Sequence, residues 1–194
     1  QGNPRIAHTV YCAPGMAGLT PPRPLTAEDD REYFDCGRDS LNQWFRRHAW
    51  RNQMAGASRT NIVCDAATSQ IAGYISLSAA QIERAFLPKA DQGNRPDPIP
   101  AMLIGQLAVD RRFHGRGFAR SLMIFALTTA VRLSRDIGCF CVLTHPLDDQ
   151  VRAFYRSFGF EDLPFDPGRN MAVRIIDLVH NGFSYHFTPA RAML

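Results

Sequence analysis

The sequence predicts a single mixed α/β domain, and three observations carry that expectation. The chain has 194 residues, room for one full-sized core and too little for two ordinary domains. Apolar residues make up 45% and charged residues 21% of it, so enough surface can be buried to offset the ordering entropy that keeps polar chains unfolded. Short apolar runs alternate with stretches in which apolar residues recur every three or four positions, the pattern of strands interleaved with amphipathic helices.

Residues 1–20 carry no such pattern and are expected to form a flexible leader or an expression remnant. Pro21, Pro22 and Pro24 then exclude helix and open the ordered chain. The domain is expected to run over 21–178, with 179–194 as a C-terminal extension. Leu41, Trp44, Phe45, His48, Ala49 and Trp50 fall at helical spacing and predict a helix over 40–54, capped by Asp39 or Ser40 and ended by Gly56. The runs 60–65 and 71–80 read as an antiparallel strand pair joined by a short polar loop. Pro88, Gly93, Pro96, Pro98 and Pro100 make 88–100 a connection. Residues 102–109 are almost wholly apolar, as a strand buried on both faces would be. Phe118, Leu122, Phe125, Ala126, Thr129 and Leu133 predict the longest helix, over 117–137, with Gly138 as its C-terminal cap. A buried strand over 139–144, a second amphipathic helix over 148–158 ended by Gly159, and a last strand over 171–178 complete the pattern.

No run approaches the ~18 consecutive apolar residues of a membrane span, so no membrane association is expected, and the first 20 residues lack the layout of a secretory signal. Five cysteines, Cys12, Cys36, Cys64, Cys139 and Cys141, contain no C-x-x-C pair. Their odd number argues against a disulfide framework, which suits a reduced, cytoplasmic protein; no metal is expected. The net charge of +4 comes from 22 basic and 18 acidic residues, so its placement matters more than its size. Between Asp39 and Asp65 no acidic residue occurs, while Arg46, Arg47, Arg51 and Arg59 all do. Arg47 and Arg51 are spaced to share a helix face. Beside Trp44 and Trp50 they suit an RNA backbone, and equally a solvated helix face.

The most informative stretch is Gln106-Leu-Ala-Val-Asp-Arg-Arg-Phe-His-Gly-Arg-Gly-Phe-Ala-Arg120, a buried strand, a basic glycine turn and a long helix. Gly115 and Gly117 allow a tight turn with no Cβ in the way of a ligand. The first-turn amides of the helix have no internal acceptors and, with the helix dipole, form an anion site. Arg112, Arg116 and Arg120 add positive charge there, so a pyrophosphate is the expected guest. A glycine turn before an ordinary solvated helix would use the same letters. The stretch lacks the Gly-Lys-Ser/Thr of a phosphate loop and the third glycine of a dinucleotide fingerprint.

These residues resemble motif A of the GNAT N-acetyltransferase family, whose pattern is Q/R-x-x-G-x-G/A. His114 stands at the first position, where Gln or Arg is usual, and Gly117 and Ala119 match the last two; Arg112-x-x-Gly115-x-Gly117 is an overlapping match. His145 to Phe160, with Phe-Tyr-x-x-Phe-Gly-Phe at its end, resembles motif B. Phe34-Asp-Cys-Gly37, Leu41 to Trp44, Gly56 to Thr60, Pro96 to Pro100 and Asp166-Pro167 are similar to the acetyltransferase toxins of bacterial toxin–antitoxin pairs. The likeness extends from about Pro21 to about Leu178.

The resemblance implies a mixed central sheet of about six or seven strands flanked by helices, with a splayed central strand pair. It implies acetyl-CoA as co-substrate, with the diphosphate held by His114, Gly115, Arg116, Gly117, Phe118, Ala119 and Arg120 with Arg112, and the pantetheine arm paired to the backbone of Leu107, Ala108 and Val109. It implies Tyr155 as general acid, although a tyrosine packed beside Phe154 and Phe158 is the plainer reading of its spacing. For the toxin type, the acceptor would be the α-amino group of aminoacyl-tRNA, whose pKa of about 8 needs little help from a base. His145 could serve as base or hold structure, and Asp148 reads as a helix cap. Arg46, Arg47, Arg51 and Arg59 become candidate tRNA contacts. A small DNA-binding antitoxin is the expected partner, and a homodimer is left open. The alternatives are acetylation of a small-molecule or protein amine, and a non-catalytic CoA-fold binding module.

Overall fold

The computed structural model describes residues 18–183. Within them one seven-stranded sheet runs in the order β1-β2-β3-β4-β5-β7-β6, made of β1 (Arg23–Pro24), β2 (Arg59–Cys64), β3 (Ile71–Ile82), β4 (Ile99–Val109), β5 (Cys141–Thr144), β6 (Glu161–Asp162) and β7 (Met171–Arg174). β2 and β3 form the antiparallel pair read from their alternation, and β1, with Pro24, sits at the edge, where a missing N–H is tolerated. β4 and β5 are parallel, so the chain between them must cross over, which α3 (Phe118–Leu133) does.

Helices cover both faces. α3 buries Leu122, Met123, Ala126, Leu127 and Ala130 against Ile75, Ile104 and Val142 of the sheet. The opposite face carries α1 (Asp39–Arg47) and α2 (Ala49–Met54), which bury Phe45 and Ala49 against Ile62 and Tyr74. The Phe45 ring stacks on Tyr74 with centroids 4.1 Å apart, and the Tyr74 hydroxyl donates to the Leu41 carbonyl at 3.0 Å, which pins α1 to β3. α4 (Asp149–Arg156) and α5 (Ile175–His180) complete the α3 side.

Several expectations change. The helix foreseen over 40–54 is two helices meeting at His48, and α1 starts after Arg38 with no side-chain cap. The long helix ends at Leu133, four residues before the expected point, and Gly138 does not take the positive φ of a cap; Gly56 and Gly159 do. The last strand stops at Arg174 and continues as α5, because Ile175 and Leu178 are buried three apart and Asp177 pairs back to Arg174. α5 therefore crosses the boundary expected at 178. Of the expected leader, residues 1–17 lie outside the described residues, while Leu19 is tied by an isolated bridge to Asp65; residues 184–194 of the expected extension also lie outside. Cys36, Cys64, Cys139 and Cys141 are free thiols, and Cys12 lies outside the described residues. Among the described residues no helix is long and apolar enough to cross a membrane, and no group of three or more His, Cys, Asp or Glu could hold a metal.

Candidate active site

The site begins where two parallel strands part. β5 pairs with β4 only from Ala101 to Ile104 and ends at Thr144, whereas β4 runs on to Val109 against β3. Gly105 is the extra residue of a β-bulge there, because Ser76 faces Gln106 and Leu77 already faces Ile104. Residues 105–109 thus keep one edge without a strand partner, and this is the splay that the family resemblance implied. Backbone direction along this edge follows from one bond: the Asp110 amide donates to Ala72 of β3, so by strand alternation Ala108 also points to β3, and Leu107 and Val109 point away from it into the gap. Ala108 is therefore removed from the expected backbone set, since its polar groups are used within the sheet.

The gap is a cleft of about 340 Å³. One wall is β4 with His114; another is Thr144, His145, Leu147, Val151 and Tyr155; a third is Cys36 and Arg38 from the loop before α1, with Leu41 from its first turn. An Arg38–Asp148 ion pair at 2.5 Å joins the first helix's entry to that of α4, and Asp148 also caps α4 by accepting from the Val151 amide at 2.8 Å, the role read for it. Both the apolar leucines and Arg38 were invisible as site residues from sequence, because they gain that position only through the fold.

Tyr155 is both packed and cleft-lining. Its ring packs edge-on to Phe154 and Phe160, with centroids 5.6 and 5.3 Å away, and the residue is only 5% exposed, yet it lines the cleft. Burial pushes the phenol up, a hydrogen bond with Thr144 opposing it, so the phenol stays protonated at neutral pH. His145, on the same wall, has its Nδ1 hydrogen-bonded to Asn170 Oδ1.

The turn is as read. Gly115 and Gly117 have φ of 73° and 79°, and a Cβ on either would meet nothing within 4 Å; the glycines serve backbone shape and leave open space. Gly117 is the N-cap of α3 and no side chain caps it, so the amides of Phe118, Ala119 and Arg120 have no intrahelical acceptor. Arg116 and Arg120 are exposed and lie over the rings of Phe118 and Phe158, 4.9 and 5.3 Å from the centroids, with no ion-pair partner among the described residues.

Arg112 differs from its expected role. Its Nε and Nη2 donate to the two carboxylate oxygens of Asp110 at 2.8 and 2.9 Å, and Nη1 is taken by Gln70. Asp110 is 1% exposed. Burial pushes its carboxyl up, but the hydrogen bonds from Arg112 and from the Asp35 amide outweigh that and hold it below the usual range. Arg112, although half exposed, is thus committed to Asp110 and Gln70 and is removed from the diphosphate set. His114, itself exposed, bends back onto the end of β4, its Nε2 lying 2.7 Å from the Val109 carbonyl.

The second arginine group is also divided. Arg46 donates to the Phe34 carbonyl at 2.7 Å and stands in a shallow pocket with Asp29, Asp30 and Glu32, an acidic setting that disfavours a phosphate. Arg59 donates to the Gln53 carbonyl. Arg47 and Arg51 remain exposed with no ion-pair partner among the described residues, one on each side of the break at His48. Trp44 stacks on Tyr74 at 5.9 Å and Trp50 packs on the same core, so neither ring is offered to RNA bases.

Comparison with known proteins agrees with this geometry. Residues 58–162 match the acetyltransferase (GNAT) domain. The chain is 36% identical over 152 residues to a tRNA-acetylating toxin of Mycobacterium tuberculosis, covering 78% of this chain and 90% of that protein. Among solved structures it superposes on AtaT complexed with acetyl-methionyl-tRNAfMet at a TM-score of 0.78 and 29% identity, over 84% of this chain and 98% of that one. A tyrosine-to-phenylalanine mutant of the toxin AtaT, bound to the C-terminus of the antitoxin AtaR and acetyl-CoA, gives 0.72 at 25% identity over 84% and 98%. With the splayed strand pair, the glycine turn ahead of α3 and these matches all in one stretch of chain, the protein belongs to the GNAT acetyltransferase family.

Proposed function

We propose that the protein is an acetyl-CoA-dependent N-acetyltransferase that acetylates the α-amino group of aminoacyl-tRNA and so blocks translation, as a toxin held in check by a small antitoxin. The observation that carries the chemistry is the free edge of β4 with Tyr155 across the cleft. The residues suit the co-substrate: the α3 amides, Arg116 and Arg120 would hold the diphosphate, and Leu107 and Val109 would pair with the pantetheine arm as an added strand. Acetyl-CoA supplies the acetyl group as a thioester. The acceptor nitrogen forms the new bond to the acetyl carbon, the carbon–sulfur bond breaks, Tyr155 gives its proton to the leaving sulfur, and the proton that the nitrogen sheds restores the phenol. A cleft-facing amide of β4 would stabilise the oxygen as it gains charge. The acceptor amine, with a pKa of about 8, is in good part neutral before it arrives, so the site can work without a dedicated base.

The tRNA acceptor rests on the relatives' named activity and on the exposed Arg47 and Arg51, and a tRNA substrate places the protein in the cytoplasm. The deciding experiment incubates the protein with labelled acetyl-CoA and total charged tRNA, with free amines in parallel. Label on the aminoacyl group supports the reading. Label confined to the free amines would replace it with a small-molecule acetyltransferase, and no transfer to any acceptor would leave a CoA-fold binding module.

A further inference from the structure

The free edge of β4 is not open along its whole length. Val109 is the last residue of the strand, its backbone faces the cleft, and pairing with β5 has ended at Ile104. Its carbonyl would be an unpaired acceptor, but His114 returns to it after one turn of 3-10 helix, Arg111–Phe113, and closes a contact of 2.7 Å. A carbonyl only accepts, so Nε2 carries the hydrogen in this contact. The return is held in place: Asp110 accepts from the Arg112 amide at 3.0 Å, and the His114 amide donates to Arg111.

We propose that His114 is a positioning residue that takes the place of a strand partner at Val109 and thereby sets the register in which an acyl-CoA arm can pair with β4. The inference rests on the reading of this cleft as an acyl-CoA site. An arm entering from the turn at Gly115–Gly117 meets Val109 first and Leu107 second. With both carbonyls open, its first amide N–H could bond to either, and the two registers differ by two strand residues, roughly 6.6 Å. That slip would carry the thioester away from Tyr155, and misplacements of about 1 Å already cost on the order of a hundredfold in rate. With the Val109 carbonyl taken, the groups left facing the cleft are the Val109 amide and both polar groups of Leu107, and one register remains. A histidine suits this task where Gln or Arg is usual, because its ring is short and stiff.

Single-turnover kinetics, calorimetry and NMR test it. Wild type, His114→Ala and His114→Gln are titrated with CoA and with its nucleotide half, adenosine 3′-phosphate 5′-diphosphate, which has no arm. The expected result is that His114→Ala binds both ligands no more weakly than wild type but transfers acetyl from saturating acetyl-CoA to charged tRNA about five- to tenfold more slowly, because the slipped register is then favoured by roughly one net hydrogen bond to the open Val109 carbonyl. Gln, whose amide can also donate to Val109, recovers most of the loss. In ¹⁵N spectra of the wild type, the Nε2–H tautomer persists when CoA saturates the site. Equal weakening of both ligands would make His114 a phosphate contact and overturn the proposal, as would an unchanged transfer rate, or loss of the Nε2–H tautomer on binding. The NMR arm uses only the native chain, so it decides even where a variant does not fold. Wild type that binds neither ligand would overturn the acyl-CoA reading itself, and this proposal with it.

Discussion

Replacing Tyr155 by Phe separates its two roles, because the substitution keeps the ring and removes only the hydroxyl. The edge-on contacts to Phe154 and Phe160, at 5.6 and 5.3 Å, survive. What is lost is the hydroxyl, which lies near Thr144, while the Thr144 hydroxyl keeps its contact with the Ile104 carbonyl. The stability cost is therefore at most one net hydrogen bond, no more than about 1.5 kcal/mol, or a lowering of Tm by no more than roughly 5 °C for a chain of this size. The cost to catalysis should be far larger: a positioned general acid contributes about 10²- to 10⁴-fold. The assay is single-turnover transfer from labelled acetyl-CoA to charged tRNA, with CoA affinity measured by calorimetry. A rate at least about a hundredfold lower, with near-native CoA affinity and Tm, is expected. A variant within about twofold of the wild-type rate would return Tyr155 to the core and leave the proton source unassigned.

The pH profile follows from the same residue. Burial raises the phenol above its ordinary value of about 10, and a raised acid stays protonated to higher pH. Transfer should therefore climb with pH below about 8, as the acceptor amine loses its proton, then hold level to at least pH 9.5 in rapid-quench assays; a fall centred below 9 contradicts the assignment. Reversing charge at Arg47 and Arg51 should weaken tRNA binding and lower the slope of log K against log salt by about 2, read by filter binding at several salt concentrations, and an unchanged slope removes these residues from the RNA interface. Asp110→Asn should cost about 1–3 kcal/mol, because a neutral amide cannot serve both guanidinium nitrogens and two backbone amides, and because half of Arg112 is solvent-screened. Thermal unfolding of this variant, Arg112→Gln and the double variant measures the coupling, and a coupling below about 0.5 kcal/mol would mean the pair carries no structural weight.

What could be read in advance was whatever depends on the buried face of a segment. The strand pair β2–β3, the apolar β4, the capped α4 and the glycine turn before α3 all declare themselves through local pattern. Periodicity reports which side is buried, however, and is blind to hydrogen bonding. Phe45 and Ala49 lie four apart and are both fully buried, so the helical pattern passes across His48 although the helix does not. α5 was missed for the opposite reason. Ile175, Ile176 and Val179 favour a strand by local preference, yet the buried positions are Ile175 and Leu178, and Ile176 is 51% exposed; tertiary packing decided the conformation. In the site, glycines and backbone were legible because their role is conformational. The arginines were not, since a guanidinium's partner lies far off in sequence: nothing local distinguishes Arg112, clasped by Asp110, from Arg116, which faces solvent.

Those misread arginines explain how the two sides of the cleft are held at a fixed distance. The loop Phe34–Gly37, which leads into the wall formed by Cys36, Arg38 and Leu41, is gripped from both directions. Arg46 takes the Phe34 carbonyl, Asn42 donates to the Asp35 carboxylate and accepts from the Cys36 amide, and the Gly37 amide, Asn42 and Arg111 together hold the Asp35 carboxyl down at about 2. From the sheet, Asp110 accepts from the Asp35 amide at 3.1 Å and the Arg111 amide donates to the Asp35 carbonyl at 2.8 Å. Asp110 follows directly on Val109, the end of the edge that faces the cleft. The acceptor-side wall and the donor-side edge are therefore fastened at one point of the chain, and the charges of Arg46, Arg111 and Arg112 serve that fastening. Acyl transfer gains most from holding two reactants in a fixed geometry before they react. A protein with a small excess of positive charge has spent part of it on geometry and left Arg116, Arg120, Arg47 and Arg51 exposed, the four that the proposed reaction would use to meet phosphate.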